Sequence, residues 1–263
     1  MILRYVDAHC HLQFAEYEAD NAELITHMAE QGVAGIVVGC DSSSSRAAVA
    51  LAVQYEHLYA AVGQHPNQEE FFDAEEMREL LRHERVAAVG ECGLDYYRPA
   101  EVTEAVIEAQ KELFKKHIAL AVEFNKPLII HARPSKGTMD AYQDLIQLLV
   151  EAKKSAPHLR GDIHFFVGGV AEADALIELG FTLSFTAVVT FARDYDEVIR
   201  HVPLTSILAE TDAPYVAPAS RRGQRNDPLS VVDVVAKIAE IRGEELEHVR
   251  ETLFKNTEGL FLR

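Results

Sequence analysis

The chain has 263 residues, of which 42 are acidic and 25 basic, for a formal net charge of −17. That balance argues against a passive nucleic-acid binder, which needs a basic face. Three cysteines with no CxxC spacing exclude a disulfide framework and point to a reducing cytoplasm. No apolar stretch reaches the roughly 18 residues of a membrane span, and the N-terminus lacks the basic segment and apolar region of a leader.

The elements alternate from end to end. The first apolar run, Ile2–Val6, predicts a strand and leads into Asp7-Ala8-His9-Cys10-His11. A strand has a side-chain period of two, so His9 and His11 point one way and Cys10 the other. A helix is expected over Asp20–Gln31, with Asp20 and Glu23 as a capping box and Gly32 as its stop. Strands follow at Gly35–Val38, Tyr59–Val62 and Val86–Val89. A long amphipathic helix is expected over Thr103–Asn125, with Ile107, Phe114, Ile118 and Val122 on one face and Pro127 opening the next strand. The remaining strands are predicted at Leu128–Ile130, Asp162–Phe165, Thr182–Phe185 and Ser206–Ala209. Eight strand–helix units imply a parallel sheet with right-handed crossovers, closed into one TIM-type (β/α)8 barrel over residues 1–263; an open doubly wound sheet is the alternative. The irregular stretch Pro214 to Pro228 follows the eighth strand and is expected over the barrel mouth.

The polar residues cluster in sequence at the C-terminal ends of these strands, where barrel enzymes keep their chemistry. His9 and His11 follow strand one, His65 strand three, Glu91 strand four and His131 strand five; His164 lies in strand six and Asp212 follows strand eight. Any one of them alone reads as a core histidine, an ion-pair partner or a helix cap. Seven such groups each needing its own buried partner is a costly arrangement, because an unpaired buried charge costs several kcal/mol. In a closed barrel strand eight lies beside strand one. That groups His9, His11 and Asp212 on one side and His131 and His164 on the other, with Glu91 reaching both. Such a set predicts two divalent cations, with Zn, Mn, Fe and Mg all compatible with imidazole and carboxylate donors. Asp212 and Glu91 are the expected catalytic residues, Asp212 as the group that orients and deprotonates water. Cys10 and Cys92 should point away from this cluster.

The motifs Val-Asp-Ala-His-Cys-His, Gly-Gln-His-Pro, Gly-Glu-Cys-Gly-Leu-Asp-Tyr-Tyr, Ile-Ile-His-Ala-Arg, Glu-Thr-Asp-Ala-Pro-Tyr and Arg-Gly-Gln-Arg-Asn-Asp-Pro resemble those of the TatD family of metal-dependent deoxyribonucleases. The resemblance runs from residue 6 to the C-terminal Lys-Asn-Thr-Glu-Gly-Leu-Phe. It implies a TIM-type barrel and a metal-dependent nuclease, often a 3′→5′ exonuclease, with metal ligands at His9, His11, Glu91, His131, His164 and Asp212. One departure is His164-Phe165-Phe166-Val167-Gly168, where the family often has His-Cys-Phe-Ser-Gly. Glu91 also stands where some dinuclear relatives outside this branch carry a carbamylated lysine.

DNA or an oligonucleotide is the expected substrate, with no membrane and no obligate protein partner. Arg133, two residues after His131, and the loop residues Arg221, Arg222 and Arg225 offer guanidinium forks for phosphate; Arg133 and Arg225 are the preferred pair. His65 is expected at the substrate and Tyr96 or Tyr97 against a base. Glu210 reads as a group supporting a ligand. Two other readings stand beside this one: a hydrolase of a small amide, ester or lactone using the same donors, and a non-catalytic barrel.

Overall fold

Eight parallel strands pair in chain order, each with its sequence neighbours: β1 (Tyr5–Cys10), β2 (Val33–Val38), β3 (Leu58–Val62), β4 (Val86–Asp95), β5 (Leu128–Arg133), β6 (Gly161–His164), β7 (Thr182–Phe185) and β8 (Ile207–Ala209). This computed structural model describes residues 2–262; Met1 and Arg263, the ends of the expected 1–263 span, lie outside the described residues. Helices fill the crossovers: α1 (Asn21–Glu30), α2 (Ser42–Gln54), α3 (Ala74–Leu81), α4 (Glu104–Phe124), α5 (Asp140–Ser155), α6 (Val170–Glu178) and α7 (Asp196–His201), with α8 (Val231–Arg242) and α9 (Leu246–Phe261) after the last strand. The result is a nearly closed TIM barrel. Among the described residues, no helix is long and apolar enough to cross a membrane.

Period-two alternation sorts the strand residues into two faces. Val37, Ala60, Val62, Leu128, Ile130, Ile163, Leu183 and Ile207 pack in the larger core shared with the helices. Ile36, Val38, Ala61, Ala88, Ile129 and Leu208 form the smaller core inside the barrel, with Phe261 of α9 packed against them. Around the other half of the barrel the inward positions are polar and buried: Asp7, His9, Asp162, His164, Ser184 and Glu210.

The seam between β8 and β1 is closed by an unusual device. β8 is only three residues long, so few ladder bonds are available. The Asp7 carboxylate takes their place, accepting from Thr211 N at 2.8 Å and Thr211 Oγ1 at 2.6 Å. Above it, Asp212 N donates to His9 O and His11 N to Ala213 O, at 2.9 and 2.8 Å. The seam is therefore tightest at the end that carries His9, His11 and Asp212.

The strand limits differ from expectation in informative ways. Strand one begins at Tyr5 rather than Ile2 and continues through Asp7 and His9, because the barrel interior there is polar. β4 runs six residues past Val89 and β5 three past Ile130, carrying Glu91, Asp95 and His131 within the strands. β6 stops at His164, since Phe165 turns to a positive φ of 46°. The expected capping box at α1 does not form. Asp20 makes no side-chain cap because Arg225 holds its carboxylate instead.

Candidate metal centre

A cavity of about 760 Å³ opens at the C-terminal end of the barrel. It is lined by His11, Glu91, His131, His164 and Asp212, with His65 and Arg133 beside them, and His9 lies fully buried directly beneath.

A neutral imidazole has one N–H and one lone pair, and the group behind the ring decides which nitrogen keeps the lone pair. His11 Nδ1 donates to Val38 O at 2.8 Å. His164 Nδ1 meets Glu210 Oε2 at 2.9 Å, and His131 Nε2 meets Asp95 Oδ2 at 3.1 Å. Each outer partner is an acceptor, so the opposite nitrogen carries its lone pair into the centre. There His11 Nε2 lies 3.4 Å from Asp212 Oδ1 and 3.1 Å from His9 Nε2. His9 Nε2 lies 3.7 Å from Glu91 Oε2, and His131 Nδ1 lies 3.1 Å from Glu91 Oε1. His164 Nε2 is 3.9 Å from Glu91 Oε1 and 4.0 Å from Asp212 Oδ1. The ring of His9 stacks on that of His164 at 3.6 Å, and its Nδ1 is buried without a hydrogen-bond partner.

Lone pairs thus face lone pairs and carboxylates, an arrangement satisfied by positive charge between them. The electrostatics agree. Burial opposes ionisation of Glu91, but the imidazoles of His65, His131, His9 and His164 outweigh it and hold the carboxyl well below its usual range. Burial likewise opposes protonation of His164, yet Glu210 and its hydrogen bond push the ring up to about 10. Positive charge is thus favoured at His164, while burial and the neighbouring His164 push His9 well down and keep that ring neutral. Among the described residues four groups of donors could hold metal: His9–His11–Asp212, His9–Glu91–His164, His11–Cys40–Glu91 and His65–Asp95–His131; His131 also lies against the other oxygen of Glu91.

Behind the ligating face, Ser184 Oγ lies 2.6 Å from Asp162 Oδ2 and 2.8 Å from Glu210 Oε2. Burial and the nearby Glu210 push Asp162 up to about 7. On the cavity side, Asn67 N donates to His65 Nδ1 at 3.2 Å, leaving Nε2 as the N–H that faces Glu91. Burial and the neighbouring His131 push His65 down to about 3, so this ring is a neutral donor. Burial pushes the Cys40 thiol, 3.4 Å from Glu91 Oε2, up to about 12.

A family model described as TatD related DNase matches residues 6–262. The chain belongs to the TatD family. It is 35% identical over 261 residues to the metal-dependent hydrolase YabD of Bacillus subtilis (strain 168), covering 97% of this chain and 98% of that one. It is 28% identical over 267 residues to the 3′-5′ ssDNA/RNA exonuclease TatD of Pectobacterium parmentieri (strain WPP163), covering 97% and 98%. The crystal structure of the TatD homologue YjjV from Escherichia coli K12 superposes with a TM-score of 0.88 at 30% identity, each chain covered completely. This chain is accordingly a metal-dependent hydrolase of the TatD family.

The structure brings His9, His11, Glu91, His131, His164 and Asp212 together, and sets His65 and Arg133 at the same cavity. Two expected substrate contacts do not reach it. Tyr96 is 1% exposed, its hydroxyl donating to Asp144 at 2.9 Å, so it packs under the loop rather than against a base. Arg225 spends its guanidinium on Asp20 and on Glu16 O, away from the cavity lining. Arg221 is likewise paired, with Asp227 at 2.6 Å. Cys10 and Cys92 face the helix layer, each directing its sulfur to a backbone carbonyl. Sequence reasoning missed Asp95, Arg98 and Cys40. Asp95 and Arg98 had a signal, since they sit in and just after the Gly-Leu-Asp-Tyr-Tyr motif. Cys40 had only its place beyond the end of β2.

Proposed function

We propose that this chain is a single hydrolase domain, residues 1–263, that cleaves phosphodiester bonds of DNA or oligonucleotides, stepwise from the 3′ end. The observation that carries this reading is one cavity lined by His11, Glu91, His131, His164 and Asp212, with His9 buried against them and the guanidiniums of Arg98 and Arg133 on its wall, on a chain that is otherwise strongly acidic. In this reading His9, His11, Glu91, His131, His164 and Asp212 would hold two divalent cations, His9, His11 and Asp212 forming one set of donors and Glu91 lying against both His9 and His131. When bound, such cations (Zn, Mn or Mg) polarise the phosphoryl group and make water acidic enough to attack near neutral pH.

The protein's own residues do the rest. Asp212 reaches the cavity with its side chain 14% exposed, and in this reading it orients the attacking water and takes its proton. Arg133 and Arg98 grip the non-bridging phosphate oxygens through their N–H forks. His65, neutral with Nε2–H inward, donates to a phosphate oxygen without adding charge. Glu210 and Asp95 hold His164 and His131 in the tautomers that face the centre. The name of the Pectobacterium relative supports both the polymer and the direction of cleavage.

The test is digestion of an end-labelled single-stranded DNA ladder with Mg²⁺ or Mn²⁺ against EDTA, with Asp212→Asn in parallel. Stepwise shortening from the 3′ end that stops with EDTA and falls at least about a hundredfold in the variant is expected. Intact DNA under every metal, with turnover of a small ester, amide or lactone, would replace the nuclease with a small-molecule hydrolase.

A further inference from the structure

Two of the arginines stacked on aromatic rings differ from the rest of that set. The guanidinium of Arg133 lies flat on Tyr97, Cζ to ring centroid 4.0 Å, and that of Arg222 lies on Phe191 at 3.9 Å. Arginines also sit on rings elsewhere: Arg85 on Tyr59, Arg225 on Tyr17 and Arg250 on Tyr5. Those three are saturated. Arg85 donates to Ala52 O and Glu56 O, Arg225 to Asp20, and Arg250 to Glu247 and Arg4 O. Among the described residues, Arg133 and Arg222 have no side-chain hydrogen bond and no carboxylate within 4.0 Å, on a chain with 42 acidic residues. Each therefore offers a cationic plate, one face backed by an aromatic ring and its N–H edge unfilled.

Their places in the fold put the cavity between them. Tyr97 and Arg133 follow β4 and end β5, and Arg98 and Arg133 line the cavity on that side. Phe191 and Arg222 lie in the loops after β7 and β8, the loops that also supply Tyr195, Tyr215 and Val216 to the lining. Ala219 N donates to Thr190 Oγ1 at 2.8 Å, tying these two loops together just beside the Phe191–Arg222 pair. Tyr97 is 51% exposed and Tyr215 47%, so flat apolar rings stand open on both sides of the mouth.

We infer that Arg222 on Phe191 is a remote subsite for single-stranded nucleic acid, taking a nucleotide beyond the one held at the cavity by Arg133 on Tyr97. The inference rests on the phosphodiesterase reading above. A guanidinium plate takes a phosphate at its edge and an unpaired base on its open face, and a base in a duplex has no free face to give. Against the chain's net negative charge, such local cationic plates offer attraction to a strand leaving the cavity.

The test compares KM and kcat of the metal-loaded enzyme for a thymidine dinucleotide and a thymidine decanucleotide. In this proposal a dinucleotide fills the cavity alone, whereas the longer strand extends to Arg222. Arg222→Ala is expected to raise KM for the decanucleotide roughly tenfold with kcat unchanged, and to leave the dinucleotide's KM alone. Arg222→Lys keeps the charge but not the plate, and should recover only a minor part of the loss. Phe191→Leu, which removes the backing ring, should act in the same direction as Arg222→Ala. A decanucleotide KM unmoved by Arg222→Ala, or a rise equal for both substrates, overturns the subsite while leaving the phosphodiesterase reading intact. If the unmodified enzyme cleaves neither substrate, that reading falls and the subsite with it.

Discussion

An imidazole offers one lone pair, so a ligand histidine is only as good as the acceptor behind it. Glu210 is fully buried, meets His164 Nδ1 at 2.9 Å and takes the amide of Phe165 at 2.7 Å. It thus fixes both the tautomer of His164 and the turn that ends β6. Glu210→Gln keeps the size and one acceptor oxygen but removes the charge. Metal affinity is expected to fall about 10- to 100-fold, measured by competition with a chelator, while the circular dichroism spectrum stays that of the native chain. Unchanged affinity would show that His164 needs no carboxylate behind it. At this scale the sequence was readable where polar residues stand at strand ends, which is why the convergence of His9, His11, Glu91, His131, His164 and Asp212 could be expected. It was unreadable where a partner was chosen by folding. Nothing in the spacing of Arg225 shows that Asp20, more than two hundred residues away, occupies it. Nor does the Tyr96-Tyr97 pair show which ring turns inward to Asp144 and which stays at the mouth.

The elements explain why the strand ends were harder to read than the strand centres. β4 looked finished at Val89 because Gly90, Glu91 and Gly93 break the apolar run. Within a barrel those glycines mark close approach of neighbouring backbone rather than a turn. At Gly93, φ is 136° and a Cβ would sit 2.1 Å from the carbonyl oxygen of His131. No side-chain rearrangement can relieve a clash with backbone. Gly93→Ala should therefore cost about 3 kcal/mol or more in denaturant unfolding and push β5 away from β4, taking His131 with it. Metal affinity should drop in the same variant. A variant as stable as the native chain would mean that the β4–β5 pair can open without cost. The alternation of strand and helix survived intact from sequence to structure because it depends only on hydrophobic period. The N-cap expected at α1 did not, since Asp20 was drawn to a distant arginine, whereas the stop at Gly32 did, with its φ of 69° just past the helix.

Net charge governs how the whole molecule meets a polyanion. At −17 the chain repels DNA at long range, with attraction proposed at Arg98 and Arg133 in the cavity and at Arg222 on Phe191. Each phosphate neutralised on a single strand contributes about −0.7 to the slope of log affinity against log salt, so three contacts give a slope of roughly −2. Between about 50 and about 200 mM salt that slope amounts to a loss of roughly twentyfold, far below the ~10³- to 10⁵-fold loss of a protein making many phosphate contacts. Screening acts in the opposite direction on the general repulsion, because salt shortens its reach to about 10 Å or less at ~0.1 M. The two effects partly cancel. KM for a decanucleotide is therefore expected to rise less than roughly twentyfold over this range, with a slope shallower than about −2. Arg222→Ala should flatten the slope by about 0.7, which separates a phosphate contact from stacking alone. A slope near about −6 would instead require many more phosphate contacts than these three arginines provide, and would place the strand on a surface other than the mouth.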